Sequence, residues 1–310
     1  MRPLSCLLVA LAALARGAGE EHAAADVRAD FTPVRAVVTG VVEGATEFLP
    51  VSSTGHLILS NRALGVKADP EATVSGVTDR KGRPVSLKRA ADDYLVIIQV
   101  GAILAVVAAF WRRFRNPSPR VALATLVAFL PAAALGLLAK DWIERALFDP
   151  VVVAWALLVG GLAMLVFDRI YPRSEQPGHD ELEVISLPQA FRIGCFQCLS
   201  LIPGTSRSLA TLLGGRATGL SHAAAAEFSF LVGFVTLTAA SAYKAWQLGP
   251  ALADIYPVGP ALLGLAVAFA VAYATAGWLV RHLQRRGFAL FAWYRIVLGG
   301  GLLIAWAAFA

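Results

Sequence analysis

The chain has 310 residues, of which 57% are hydrophobic and 15% charged, and it carries a net charge of +6. Its mean hydropathy is +0.65. The polar side chains are too few to cover a soluble globule of this size, so the composition excludes an ordinary soluble domain and indicates a membrane protein. The basic residues stand in short clusters between apolar runs, which is typical of membrane loops and argues against nucleic acid as a partner.

Residues 1–18 have the features of a secretory signal peptide. Arg2 precedes an apolar stretch, and mostly small residues follow it. An uncleaved membrane anchor is the alternative interpretation. In either case this segment is not counted as part of the fold.

Six apolar segments have the length of about 20 residues that one crossing of a bilayer needs. They are residues 94–111, 121–139, 150–167, 226–248, 257–280 and 289–309. We therefore expect an all-α polytopic membrane protein with six transmembrane helices. Residues 67–93 are polar and lack apolar periodicity, so they are predicted to form an external loop.

Two further apolar segments, 31–65 and 187–220, are each broken at the centre by a proline. Hydroxyl residues follow both Pro50 and Pro203. Proline stops the preceding helix, and a broken backbone at membrane depth is tolerated only inside protein or beside a polar cavity. These two segments are therefore predicted to be re-entrant helical hairpins.

Each predicted hairpin precedes three spans, so residues 31–170 and 187–310 form two repeats of one membrane domain. Residues 40–53 also align with residues 194–206 with one gap. The most basic loops are 111–115, 168–173 and 281–286. Their charge predicts a cytoplasmic location, which gives the two repeats opposite orientations and makes the first hairpin enter from outside. Inverted repeats bring the tips of broken helices together near the midplane, where one site can form from both halves.

The first hairpin contains two acids, Glu43 and Glu47, four residues apart and therefore on one face of a helix. A charge inside a bilayer costs about 3 kcal/mol or more, so an intramembrane acid is a functional candidate, with a stabilising ion pair as the alternative. The same hairpin holds four further polar candidates, Ser52, Ser53, Thr54 and His56. The hydroxyl residues are expected to cap a helix that begins near His56.

The second hairpin repeats this arrangement and adds a cation. Its candidates are Thr205, Ser206, Arg207 and Ser208. Free N–H groups at a helix start bind anions, and the planar fork of Arg207 suits phosphate oxygens. Gln99, in the first span, either lines the site or bonds a neighbouring helix.

Together these residues favour phosphoryl transfer, which needs a neutralised phosphate and an aligned nucleophile. Capping of helices alone would also explain the hydroxyl residues. A lipid or anion transporter with a site at the midplane is the alternative function, because inverted repeats with broken helices are a transporter design.

The chain contains the motifs EGATEFLPVSSTGH at 43–56 and PGTSRS at 203–208. They strongly resemble the two signature motifs of the undecaprenyl pyrophosphate phosphatase family, also called bacitracin-resistance proteins. The resemblance runs from about residue 33 to the C-terminus. It implies an enzyme of the bacterial inner membrane that converts undecaprenyl diphosphate to undecaprenyl phosphate and inorganic phosphate. Such an enzyme recycles the cell-wall carrier lipid and confers bacitracin resistance.

The resemblance, with the analysis above, assigns roles to particular residues. The expected catalytic residues are Glu43, Glu47, Ser53, His56 and Arg207. Substrate contacts are expected from Ser52, Thr54, Gln99, Thr205, Ser206 and Ser208. Glu43 and Glu47 would act as base or hold Mg²⁺ or Ca²⁺, and either Ser53 or His56 would attack the terminal phosphorus. The expected partners are the lipid substrate and the bilayer, with a homodimer left open, and the site would open to the periplasmic face.

Overall fold

A computed structural model describes residues 31–66, 69–116, 118–139, 142–143, 146–147, 149–171, 182–249 and 251–309. The predicted signal peptide, residues 1–18, lies outside the described residues. In chain order the helices and strands are α1 (Pro33–Thr46), α2 (Ser53–Ala63), β1 (Thr73–Thr78), β2 (Pro84–Ser86), α3 (Leu87–Ala109), α4 (Trp111–Arg115), α5 (Pro119–Leu138), α6 (Pro150–Ile170), α7 (Leu187–Gln197), α8 (Arg207–Ala217), α9 (His222–Leu248), α10 (Ala251–Ile255), α11 (Val258–Arg286) and α12 (Ala289–Phe309), with a 3₁₀ helix at Cys198–Leu201.

Six helices in the described part of the chain are long and apolar enough to cross a membrane. They are α3, α5, α6, α9, α11 and α12. Their apolar length explains why they form, since in hydrocarbon a helix satisfies its own backbone hydrogen bonds. The prediction of a mostly helical, multi-pass membrane protein is therefore confirmed.

The prediction of a loop across residues 67–93 is wrong in part. Strands β1 and β2 pair antiparallel, and each contributes one buried valine, Val74 from β1 and Val85 from β2. Ser86 caps the start of α3, which therefore begins at Leu87 and not at residue 94. The first two turns of α3 carry charges that pair within the protein, so they lack the apolar run by which a span is recognised.

A charged network joins this small sheet to the helices. Asp79, in the turn between the strands, accepts hydrogen bonds from Arg83 and Arg89, and Asp93 pairs with Arg89 and Lys244 of α9. Burial by itself raises the pKa of Asp79, but the hydrogen bonds from Arg89 and Arg83 outweigh it and hold that pKa below its usual range. The carboxylate is thus ionised at neutral pH and holds the turn on the helices.

The helices pack in pairs that cross between the two halves of the chain. Helix α3 packs on α9, α6 on α12, α1 on α11, and α7 on α5. Glycines permit the closest approaches. A Cβ at Gly40 of α1 would lie 2.7 Å from the Gly264 carbonyl oxygen of α11, and one at Gly194 of α7 would lie 2.5 Å from the Ala128 carbonyl oxygen of α5. Small residues at helix interfaces are typical of packing inside membranes.

We expect Gly194→Ala to destabilise the protein. Its added Cβ would lie 2.5 Å from the Ala128 carbonyl oxygen, closer than Cβ atoms approach, so α7 and α5 must separate. Overpacking of this kind costs about 1–3 kcal/mol. The melting temperature in detergent, followed by intrinsic fluorescence, should therefore fall.

Gly300→Ala on α12 is the matched control, because no neighbouring atom in the described structure lies within 4 Å of its added Cβ. Its melting temperature should stay the same or rise, since alanine favours a helix over glycine. Equal melting temperatures for the two variants would contradict the close contact of α7 with α5.

Candidate active site

A turn precedes each of the short helices α2 and α8, and both turns contain a strained serine. The first turn, residues 47–52, joins α1 to α2, and the second turn, residues 202–206, precedes α8. Ser52 has φ 75° and Ser206 has φ 78°, and they are the non-glycine residues with positive φ in the described structure. Such conformations cost about 1–3 kcal/mol each and concentrate at functional sites.

Each strained serine caps the helix that follows it. The Ser52 hydroxyl accepts a hydrogen bond from the Gly55 amide, and the Ser206 hydroxyl accepts one from the Leu209 amide at 3.2 Å. Helix α2 therefore begins at Ser53, earlier than the predicted start near His56. Both helices direct their first amides toward the turns, an arrangement suited to anions.

The two turns lie against each other, as the sequence analysis expected. The Ser208 hydroxyl donates to the Phe48 carbonyl oxygen at 2.6 Å, and Arg207 Nη2 donates to Glu47 Oε1 at 2.8 Å. Both contacts join residues that are 160 positions apart. The site is thus built from both halves of the chain.

A chain of hydrogen bonds links three of the predicted catalytic residues. Ser53 Oγ donates to Glu47 Oε2 at 2.5 Å, while the other oxygen of Glu47 accepts from Arg207. Arg207 Nη1 also donates to the Ser229 carbonyl oxygen at 3.0 Å, which fixes the guanidinium on α9. The side chains of Glu47 and Arg207 are only 4% and 9% exposed, so their attraction acts in a poorly solvated place.

Two buried polar groups beside this chain have no hydrogen-bond partner in the described structure. They are both carboxylate oxygens of Glu43, one helical turn before Glu47, and the Nε–H of Arg207. Leaving such groups unpaired is costly. A cation beside Glu43 and a phosphate oxygen beside Arg207 Nε would complete both.

The donor set therefore fits a hard divalent cation. Carboxylate oxygens are the ligands that Mg²⁺ and Ca²⁺ prefer, and Mg²⁺ is often held by one or two carboxylates together with substrate phosphates and water. The described residues contain no group of three or more His, Cys, Asp or Glu that could hold a metal by itself. Glu43 and Glu47 would accordingly be the protein ligands of such an ion.

His56 stands apart from the serine, glutamate and arginine. Its Nδ1 lies 2.7 Å from the Ser52 carbonyl oxygen, which can only accept, so Nδ1 carries a hydrogen. Its Nε2 lies 2.5 Å from the Tyr294 hydroxyl of α12, and the two rings stack at 14°. Within the described residues no hydrogen bond joins His56 to Ser53, Glu47 or Arg207.

The remaining predicted residues occupy three kinds of position. Thr54 and Gln99 line a cavity of about 870 Å³, which reaches from Pro203 of the second turn toward the β1–β2 end of the molecule. Ser52, Thr205 and Ser206 belong to the turns, and Ser208 is buried with its hydroxyl bound to Phe48. The cavity wall combines apolar residues of α12 with charged residues near the sheet. The apolar residues are Leu302, Leu303 and Trp306, and the charged residues are Arg83, Lys88 and Arg89.

The sequence analysis missed two neighbouring residues of α12. Tyr294 contacts His56, and Arg295, fully buried, donates to the carbonyl oxygens of Pro50 and Gly204 at 3.2 and 2.9 Å. A signal was present for the arginine, because a charge in the middle of an apolar span marks a functional candidate. No comparable signal distinguishes the tyrosine.

Comparisons with known proteins identify the family. The model of a family described as "Bacitracin resistance protein BacA" matches residues 36–301. A Sorangium cellulosum protein named undecaprenyl-diphosphatase is 44% identical over 283 residues, covering 87% of this chain and 85% of that protein. Proteins of the same name from Rhizorhabdus wittichii and a Polaromonas species are 39% and 38% identical, covering 86% and 88% of this chain and 95% of each protein. Because the family match spans most of its length, the chain belongs to the bacitracin resistance protein BacA family.

Proposed function

We propose that this membrane enzyme hydrolyses undecaprenyl diphosphate to undecaprenyl phosphate and inorganic phosphate, and so recycles the cell-wall carrier lipid and confers bacitracin resistance. The names of the relatives support this reaction and give no support to the transporter alternative. The observation that carries the proposal is the hydrogen-bonded chain Ser53–Glu47–Arg207, which places a hydroxyl, a base and a phosphate-binding cation together.

The geometry favours Ser53 over His56 as the nucleophile. The Ser53 hydroxyl already donates to Glu47, which can take its proton, whereas Nε2 of His56 is engaged by Tyr294. In the first step Ser53 Oγ bonds to the terminal phosphorus, the bond from that phosphorus to the bridging oxygen breaks, and the lipid leaves as its monophosphate. The serine proton passes to Glu47.

A water molecule completes the reaction. Its oxygen bonds to the phosphorus, the Ser53–phosphorus bond breaks, and the proton held on Glu47 returns to Ser53 Oγ. One proton of the water stays on the phosphate, the other leaves to solvent, and inorganic phosphate is released. Arg207, with its unpaired Nε–H, stabilises the charge that develops on the phosphate oxygens in both steps. A divalent cation held by Glu43 and Glu47 would neutralise the diphosphate.

The finer architecture that we propose is an inverted repeat with two re-entrant hairpins. Equivalent elements of the two halves make equivalent contacts, since α1 packs on α11 as α7 packs on α5. Gly40 and Gly194, which align in sequence, both sit at these contacts. The turns at Ser52 and Ser206 share the same positive φ. These three correspondences support a common plan for the two halves, which the proposal sets in opposite orientations.

We also propose that the site opens to the periplasmic face of the inner membrane. The cavity extends toward the β1–β2 sheet, on the side that the basic loops assign to the outside. Diphosphate released at the outer leaflet would reach it there. A homodimer stays a prediction.

Purified protein in detergent should release phosphate from undecaprenyl or farnesyl diphosphate. Glu47→Gln should lower kcat by about 10²–10⁴-fold, because it removes the base, and Arg207→Lys by about 10²–10³-fold, because it removes the planar fork. Exposed Glu71→Gln and Arg112→Lys are the matched controls and should retain activity. Absence of phosphate release by well-folded wild type would refute the proposed reaction and return transport to consideration.

Acid quenching after brief reaction with substrate labelled at the terminal phosphate should trap an acid-stable phosphoserine. The label should be absent from Ser53→Ala, because that variant lacks the attacking oxygen. An acid-labile, alkali-stable label that disappears in His56→Ala would assign the attack to His56. Full turnover in Ser53→Ala would show that water attacks directly.

Chelation should abolish phosphate release, and Mg²⁺ or Ca²⁺ should restore it. Glu43→Gln should need at least about tenfold more cation for half-maximal activity, because it removes one charged ligand. Calorimetric titration of the cation into substrate-bound Ser53→Ala protein, with and without Glu43→Gln, should show the same weakening of cation binding by Glu43→Gln. Unchanged activity in excess chelator would exclude a required cation.

A further inference from the structure

We propose that Arg295 is a positioning residue that clamps the two strained turns in the relative placement that the reaction requires. It reaches the first turn at the Pro50 carbonyl oxygen and the second at the Gly204 carbonyl oxygen, at 3.2 and 2.9 Å. The first turn carries Glu47 toward Ser53, and the second leads into Arg207. This inference rests on the proposed phosphatase reaction and adds the residue that aligns its parts.

The hydrogen bonds of Arg295 go to the backbone and favour a positioning role over direct binding of phosphate. A guanidinium has five N–H donors. Four of those on Arg295 are directed at backbone carbonyl oxygens: Nε at Leu157, Nη1 at Pro50, and Nη2 at Ala156 and Gly204. With four of its five donors bonded to the backbone and its side chain fully buried, Arg295 is placed to act on the substrate through the turns.

The two clamped carbonyls occupy equivalent places. Pro50 lies two residues before Ser52, and Gly204 lies two residues before Ser206. Both serines hold positive φ, and Gly204 itself has φ 93°. Strained backbone persists only where its surroundings hold it. One planar group that grips both turns at the same offset from the strained residue provides that restraint.

Arg295 is a buried cation without a carboxylate partner, and its neighbours leave space for it. All four of its hydrogen-bond partners among the described residues are backbone carbonyls, so no carboxylate neutralises it there. Burying an uncompensated cation is unfavourable. Gly160 of α6 leaves the space for the guanidinium, since a Cβ at that position would meet Nη2 of Arg295 and the Leu209 side chain. A cation retained at this cost in the core of a site indicates a functional constraint.

Arg295→Lys tests the clamp, because an ammonium keeps the charge but has three donors and no planar fork. Misplacement of the turns by about 1 Å should lower kcat about 100-fold. KM should stay within about threefold of wild type, because Arg207 and the other groups that bind the substrate are unchanged. The full-length chain in detergent is assayed with farnesyl diphosphate beside thermal unfolding.

Arg216→Lys is the matched control. Arg216 is also buried and also donates to backbone carbonyl oxygens, those of Leu220 and Tyr171, but it lies away from the two turns. Arg216→Lys should lower the melting temperature about as much as Arg295→Lys does and change kcat by no more than about twofold. Equal kcat for the two lysine variants, or a rise in KM alone for Arg295→Lys, would overturn the clamp.

Gly160→Ala provides a test that leaves the arginine in place, for the case in which Arg295→Lys does not fold. The new methyl displaces the guanidinium, so kcat should again fall more than KM changes. Ser208→Ala removes a hydrogen bond that holds the first turn on the start of α8, and its effect on kcat should be non-additive with that of Arg295→Lys. Additive effects would contradict a shared role. Inactive wild type would overturn the phosphatase proposal itself, whereas active wild type with unaffected Gly160→Ala and Arg295→Lys would overturn only the clamp.

Discussion

The Glu47 carboxylate accepts hydrogen bonds from both halves of the chain, Ser53 on one oxygen and Arg207 on the other. The two partners have different roles in the site. Without Arg207 the buried carboxylate would be an uncompensated charge, and without Ser53 it would have no proton to accept in the first step. In the proposed reaction the same contact stabilises the packing of the first turn on α8 and prepares the nucleophile, so that stability and activity would depend on one group.

In the proposed re-entrant arrangement, the bilayer explains why so much of the surrounding structure supports this contact. A helix broken in hydrocarbon exposes carbonyl and amide groups that water cannot satisfy. Here the serine caps satisfy the amides of α2 and α8, while Arg295 and Ser208 satisfy the carbonyls of the turns. Close helix contacts at Gly40 and Gly194 hold the short helices against longer ones. The polar site is thus enclosed by partners that repair the broken backbone.

Local patterns were sufficient to predict the spans, the two breaks and the acidic face of α1. Apolar length identifies a span, proline identifies a break, and a spacing of four places Glu43 and Glu47 together. The β1–β2 pair was missed because its strands are short and polar. Tyr294 was missed because its contact with His56 joins residues 238 positions apart and depends on how α12 packs. Arg295 was visible as a charge, but its carbonyl partners leave no mark in a sequence.

The order in which the partners of the site are made has a consequence for biosynthesis. Arg207 follows Glu47 by 160 residues, and Arg295 follows Pro50 by 245. Ribosomes add about 5–20 residues per second, so Arg207 is synthesised on the order of ten seconds or more after its partner Glu47. The contacts of Arg295 with both turns can form only after the last helix is made, so a ribosome that stalls before α12 leaves a membrane protein without them.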